Sequence, residues 1–157
     1  MTAEVRASEE HVGFALRLAY QRASANLSEA IGASGITPMQ FQTLRRLHER
    51  GPMTQNELGR SVGMPRANIH RIVRRLVESR LVMLRTTPGD RRLTVVALTR
   101  QGERTLRDVL PAADAANALT LSVLSPPERN AVMDSLWKLA SAAGDLAPPD
   151  VPCTGPA

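Results

Sequence analysis

Eight arginines fall between Arg66 and Arg92 (66, 71, 74, 75, 80, 85, 91 and 92), opposed only by Glu78 and Asp90. This stretch carries +6 of formal charge, whereas the whole 157-residue chain carries +5, so the remainder is close to neutral. A guanidinium is permanently charged and presents a planar fork of donors that fits phosphate oxygens and the acceptor edge of guanine. So local a concentration is the electrostatic footprint of a surface that meets phosphate backbones; a solvated helix face would show the same count.

Spacing divides these residues into two groups. Arg66, Asn68, His70, Arg71, Arg74 and Arg75 alternate with Ile69, Ile72, Val73 and Leu76 at helical period, which predicts a helix from near Pro65 to about Arg80. Arg66, Asn68, His70 and Arg71 lie at its start, opposite the apolar side. There Asn68 can pair with adenine and an arginine with guanine through two hydrogen bonds, each pair discriminating by about 1–3 kcal/mol. Arg74 and Arg75, a turn further on, suit phosphates. Arg66 reads equally as a phosphate contact, and His70 equally as a solvated surface residue. The second group lies in "TTPGDRRL", where Pro88, Gly89 and Asp90 are turn formers, so Arg91 and Arg92 are expected to project from a hairpin tip. A narrow minor groove favours an inserted guanidinium, and Asp90 is expected to orient one of the two by a charge-assisted hydrogen bond. The alternative is a surface ion pair of little energetic consequence.

The elements that must position these groups emerge from period and caps. Val12, Ala15, Leu16, Ala19, Ala23, Leu27, Ala30 and Ile31 predict an amphipathic helix over about 8–33. Thr37 with Pro38 and Gln40 opens a second helix that buries Phe41, Leu44 and Leu47 and stops at Gly51-Pro52. Thr54 with Glu57 forms a capping box on a short helix carrying Leu58 and Val62, which breaks at Gly63. Two helices joined by a short glycine-containing turn match the helix-turn-helix pattern, and its second helix is the basic one. "LVMLRTT" and "RLTVVALT" then alternate as two antiparallel strands. Thr99 caps a helix running through Leu106 and Leu110 towards Leu119, with Pro111 as a candidate kink, and Ser125 with Glu128 opens a last helix expected to bury Val132, Leu136 and Leu139. The proline-rich residues 144–157 are expected to be a disordered tail.

Composition narrows the function classes. Aromatic residues make up only 3% and Leu, Val and Ala dominate the apolar content, which favours a mainly helical domain. No run approaches the ~18–20 apolar residues needed to cross a bilayer, and Glu4, Glu9 and Glu10 do not fit a secretory leader, so a cytoplasmic protein without membrane association is expected. The single cysteine, Cys153, permits no internal disulfide, disfavours a cysteine-built metal site and lacks an evident activating neighbour for a redox switch. An enzyme is not expected: no nucleophile elbow, phosphate-cradling glycine loop or His-Glu-x-x-His pattern is present, and His11, His48 and His70 fall on three separate predicted helices. No cofactor or metal is called for.

The order of helices, helix-turn-helix, two-stranded wing and two further helices resembles the MarR family of winged helix-turn-helix regulators over about residues 8–143. "RANIHRIVRRLVESRLVMLRTTPGDRRLTVVALTRQG" looks like its recognition helix, its Asp-x-Arg wing at Asp90, Arg91 and Arg92, and its Leu-Thr-x-x-Gly junction at Leu98, Thr99 and Gly102. Two positions depart from the pattern: Arg80 stands where the family usually has a helix-ending glycine, and Pro65 where a serine cap is common.

The resemblance implies a mainly α fold with a two-stranded β wing. In it, a winged helix-turn-helix lobe over 37–99 is flanked by dimerisation helices over 8–36 and 100–143. It further implies a homodimeric, sequence-specific regulator of transcription that binds double-stranded DNA at a palindromic operator, a repressor released by a small, often anionic aromatic effector. Candidate effector contacts are His11, Arg17, Tyr20 and Trp137; the bland reading puts Tyr20 and Trp137 in a core or interface and leaves His11 and Arg17 solvated. A sequence-indifferent architectural DNA-binding protein is the competing reading.

Overall fold

The computed structural model describes residues 11–87 and 90–142, with backbone alone at 87 and 90–93. In chain order it contains α1 (Val12–Ile31) and a 3-10 turn (Gly32–Ser34), then α2 (Pro38–Arg50), β1 (Met53–Thr54), α3 (Gln55–Ser61) and α4 (Arg66–Glu78). The strands β2 (Val82–Thr87) and β3 (Asp90–Leu98) come next, and α5 (Arg100–Thr120) and α6 (Pro126–Ser141) complete it. This is a mainly helical winged helix-turn-helix.

Local chemistry sets most of the boundaries. In α2 the Thr37 N–H donates to Gln40 Oε1 at 2.8 Å while Thr37 Oγ1 accepts the Gln40 N–H at 3.3 Å, with Pro38 pre-set for the first turn. In α3 the same reciprocal arrangement joins Thr54 and Glu57. At α6 the Ser125 N–H and hydroxyl both donate to Glu128 Oε2, at 2.7 and 2.6 Å. Between α3 and α4, Gly63 takes φ +67, a conformation that costs an L side chain roughly 1–2 kcal/mol.

The wing gains a strand that the sequence pattern did not show. β1 pairs with β3 (Met53 opposite Val96, Thr54 opposite Val95), so the sheet is three-stranded and antiparallel in the order β1-β3-β2. Two residues are too few for alternation to register, and Thr54 already reads as a helix cap. The wing arginines also lie inside a strand, since β3 begins at Asp90. Pairing is regular from Val82–Leu98 to Thr86–Thr94 and then shifts, with Thr87 opposite Asp90. Arg91 and Arg92 therefore fall on the irregular part of the ladder, where a strand bends and twists most.

One core joins the lobe to the long helices. Phe41, Leu44 and Leu47 of α2, Leu58 of α3, Ile69, Val73 and Leu76 of α4, Val82 and Val96 of the sheet, and Leu106 and Val109 of α5 are all buried together. Leu27 and Ile31 bring in the last turns of α1. α1 packs along α5, where Asn26 Nδ2 donates to Thr120 Oγ1 at 2.9 Å, and Pro111 sits inside α5 without ending it. The remaining apolar residues of α1 do not enter this core: Val12, Ala15, Leu16 and Ala19 are exposed. Nor does α6 bury any residue; Leu136 and Leu139 are 38% and 60% exposed and Val132 is only half-covered. The expected burial of Val132, Leu136 and Leu139 is thus absent, because one chain supplies no further layer to cover that helix.

The end of α4 is tied to the start of α5. Arg80 adopts φ +59, its N–H donates to Val77 O, and the Leu81 N–H donates back to Leu76 O at 2.9 Å, which closes the helix as a Schellman motif. Thr99 Oγ1 donates to Arg80 O at 2.6 Å and lies 3.2 Å from Leu81 O, while accepting the Gly102 N–H at 3.0 Å. Gly102 packs so closely that an added Cβ would collide with the Leu81 carbonyl oxygen. Arginine thus occupies the left-handed position that glycine fills without strain. Arg80→Gly is expected to raise stability by about 1 kcal/mol in urea denaturation, with the m-value unchanged; an unaltered or lower midpoint would contradict the Schellman assignment.

Candidate nucleic-acid interface

Helix α4 sorts its residues by face. Ile69, Val73 and Leu76 are buried against the core, so at 100° per residue Ala67, Arg71, Arg74 and Glu78 point away from it. Arg66, His70, Arg71, Arg74 and Arg75 are all exposed, whereas Asn68 is half-buried on the opposite flank of the helix from His70. The fold therefore brings the helix group into one solvent-facing surface, with Asn68 at its margin. Arg74 Nε lies 3.7 Å from Glu78 Oε1, a loose exposed pair worth little in water.

Pro65 precedes α4 without a side-chain cap. In place of a side-chain cap, the Pro65 carbonyl accepts the N–H groups of Asn68 and Ile69, at 3.0 and 3.1 Å. The missing serine cap thus leaves the start of α4 intact.

Sequence reading overlooked what α3 contributes. Gln55, Asn56, Gly59 and Arg60 of α3 line a shallow concavity of about 170 Å³ with Met64 and Arg66. From α4, His70 Nδ1 lies 3.1 Å from Oε1 of Gln55. Gln55 is uncharged and fifteen residues from His70, so neither a charge count nor helical spacing could reveal the pair. A helical projection of the predicted α3 would have shown Asn56 and Arg60 on its polar side.

The wing places the backbone of Asp90, Arg91 and Arg92 at the start of β3; their side chains, and the brace expected from Asp90, lie outside the described residues. So do Pro88, Gly89 and Cys153. Of the candidate effector contacts, His11, Arg17 and Tyr20 are exposed along α1 and Trp137 is half-covered on α6. The Arg17 guanidinium stacks 5.1 Å from the centroid of the Phe14 ring, a cation–π contact one turn away. Among the described residues, no helix is long and apolar enough to cross a membrane, and no group of three or more His, Cys, Asp or Glu could hold a metal ion.

Comparison with known proteins assigns the architecture. The MarR family profile matches residues 34–93. The repressor NicR of Pseudomonas putida is 38% identical over 130 residues, covering 83% of this chain and 82% of NicR. Among solved structures, Bordetella bronchiseptica BpsR, whose DNA binding is regulated by 6-hydroxynicotinic acid, superposes with a TM-score of 0.77 at 30% identity, over 82% of this chain and 92% of BpsR. The repressor CouR bound to a 23-mer DNA duplex gives 0.78 at 25% identity, over 84% and 94%. The chain belongs to the MarR family, and it is a DNA-binding transcriptional repressor of that type.

The capping box on α3 supports the helix-turn-helix from its first residue. Hydrogen bonds from the Thr54 hydroxyl and then its N–H hold the Glu57 carboxyl below its ordinary value. A depressed carboxylate contributes stability that is present above the unfolded value and is lost as pH falls through the folded one. Thr54→Ala is expected to cost about 1 kcal/mol at pH 7 and to flatten that acid-side loss, measured by urea melts between pH 7 and pH 3; a variant with unchanged stability would show the cap to be idle.

Proposed function

We propose that two copies of this chain pair through α1, α5 and α6, corresponding to residues 8–36 and 100–143, and present the two 37–99 lobes to a palindromic operator. α4 lies in the major groove and the β2–β3 wing reaches the adjacent minor groove, in half-sites about one helical turn, ~34 Å, apart. The observation that carries this reading is the outward face of α4, where Arg66, His70, Arg71, Arg74 and Arg75 are exposed together. Arg66, Asn68, His70 and Arg71 read base edges or the phosphates beside them, Arg74 and Arg75 hold phosphates, and Arg92 enters the minor groove with Arg91 and Asp90 in support.

The apolar residues left outside the single-chain core supply the pairing surface. Val12, Phe14, Leu16 and Leu18 of α1 and Met133, Leu136 and Leu139 of α6 are exposed in one chain, and a second copy can cover them. The protein acts in the cytoplasm, where its operator is. Release is triggered by binding of a small aromatic acid near His11, Arg17, Tyr20 and Trp137. Arg17, pre-oriented by Phe14, would take the carboxylate, and the solved relative regulated by 6-hydroxynicotinic acid supports that ligand class.

Arg92→Ala is expected to leave the dimer intact in sedimentation while weakening operator binding tenfold or more in fluorescence anisotropy at matched salt; unchanged affinity would remove the wing assignment. Equal affinity of the wild type for operator and scrambled duplex would favour an architectural binder instead. In a screen of hydroxylated nicotinic and benzoic acids, Arg17→Ala is expected to blunt release without altering DNA affinity; a full response would exclude Arg17.

A further inference from the structure

His70 stands on the exposed flank of α4, and its ring is held from one side. Its Nδ1 lies 3.1 Å from Oε1 of Gln55, the first residue of α3. Gln55 is half-covered in the wall of the α3–α4 concavity, directly after the Thr54 cap, so its amide starts from a fixed piece of backbone. A carboxamide oxygen only accepts, so the proton in this hydrogen bond sits on Nδ1. In the neutral imidazole, Nε2 then has a lone pair and no proton, and the ring directs it away from the group bound at Nδ1.

We infer that Gln55 and His70 form one base-reading unit, in which Gln55 sets the histidine tautomer so that Nε2 accepts from an exocyclic amino group in the major groove. This rests on α4 being the major-groove helix. The amino groups displayed there are N6 of adenine and N4 of cytosine, whereas guanine offers N7 and O6 and thymine offers O4, all acceptors. An unprotonated Nε2 is therefore compatible with adenine or cytosine and sets a lone pair against the other two bases, which is selection by exclusion. The opposite tautomer would donate instead, to guanine N7 or O6, thymine O4 or adenine N7, and would exclude cytosine alone. Gln55 is a positioning residue: it chooses which pair of bases His70 accepts without touching them.

The test uses the full chain at pH 8. Wild type, Gln55→Leu, His70→Ala and the double variant each select duplexes from a randomised pool, and each is titrated with unselected duplex across salt. Wild type is expected to enrich adenine or cytosine at one symmetry-related pair of positions. His70→Ala and Gln55→Leu should each reduce that enrichment about fivefold or more at the same positions, with no further loss in the double variant and an unchanged salt slope. Retention of the preference by Gln55→Leu, or its loss at positions that His70→Ala leaves alone, would overturn the inference. ¹⁵N spectra of the free protein decide the tautomer without DNA: His70 should carry its proton on Nδ1 in wild type and shift towards Nε2 in Gln55→Leu. A wild-type proton on Nε2 would refute the Gln55 role and leave the DNA reading standing, whereas absence of any sequence selection by wild type would refute the DNA reading itself.

Discussion

The Thr99 hydroxyl joins three elements that would otherwise be independent. It donates to the carbonyl of Arg80, lies within reach of that of Leu81 and accepts from Gly102, so the end of α4, the start of the wing and the first turn of α5 share one hydrogen-bonded knot. Gly102 allows the approach, since any larger residue would collide with the Leu81 carbonyl oxygen. The Schellman bonds close the last-turn carbonyls of α4, and Thr99 then takes up the carbonyls just beyond them, those of Arg80 and Leu81. The proposed two-part grip needs this rigidity, since a helix and a hairpin can grip one duplex only if their spacing is set before they arrive.

In the proposed dimer, the same knot would give a physical route from a distant ligand to DNA. α5 runs from Thr99 back along α1, where the Asn26–Thr120 hydrogen bond closes the far end. A lobe attached directly to a long helix must move with it. In a symmetric pair, a small change in the angle between the two α5 helices alters the separation of the two α4 helices, and a half-site spacing near ~34 Å tolerates little error. Differential affinity of an effector for the two spacings is all that release requires.

Much of this was legible in the residues because the controlling interactions are local. Thr37 with Gln40, Thr54 with Glu57, Ser125 with Glu128 and Thr99 with Gly102 lie three residues apart, and each marks a helix start where the structure has one. The basic face of α4 could be placed from the positions of Ile69, Val73 and Leu76 alone. Features set by distant or cooperative contacts were not legible. β1 exists because Met53 and Thr54 find Val96 and Val95 across roughly forty residues of chain, and the Gln55–His70 contact crosses a turn whose geometry no period encodes. Arg80 hid the Schellman closure because only its backbone, not its side chain, meets the left-handed requirement. For Val132, Leu136 and Leu139 the apolar pattern was right about the helix, while the single chain leaves that face uncovered.

The central claim is a rigid, two-part grip delivered twice by a symmetric pair. Hydroxyl-radical footprinting of the full chain on its selected operator tests it most directly, since the offset of protected sugars between the two strands tells which groove is covered. The account predicts a dyad-symmetric footprint with two major-groove sites centred about one helical turn, ~34 Å, apart and a protected minor groove on the outer side of each. A single uninterrupted footprint without dyad symmetry, or major-groove protection without the flanking minor-groove sites, would contradict it.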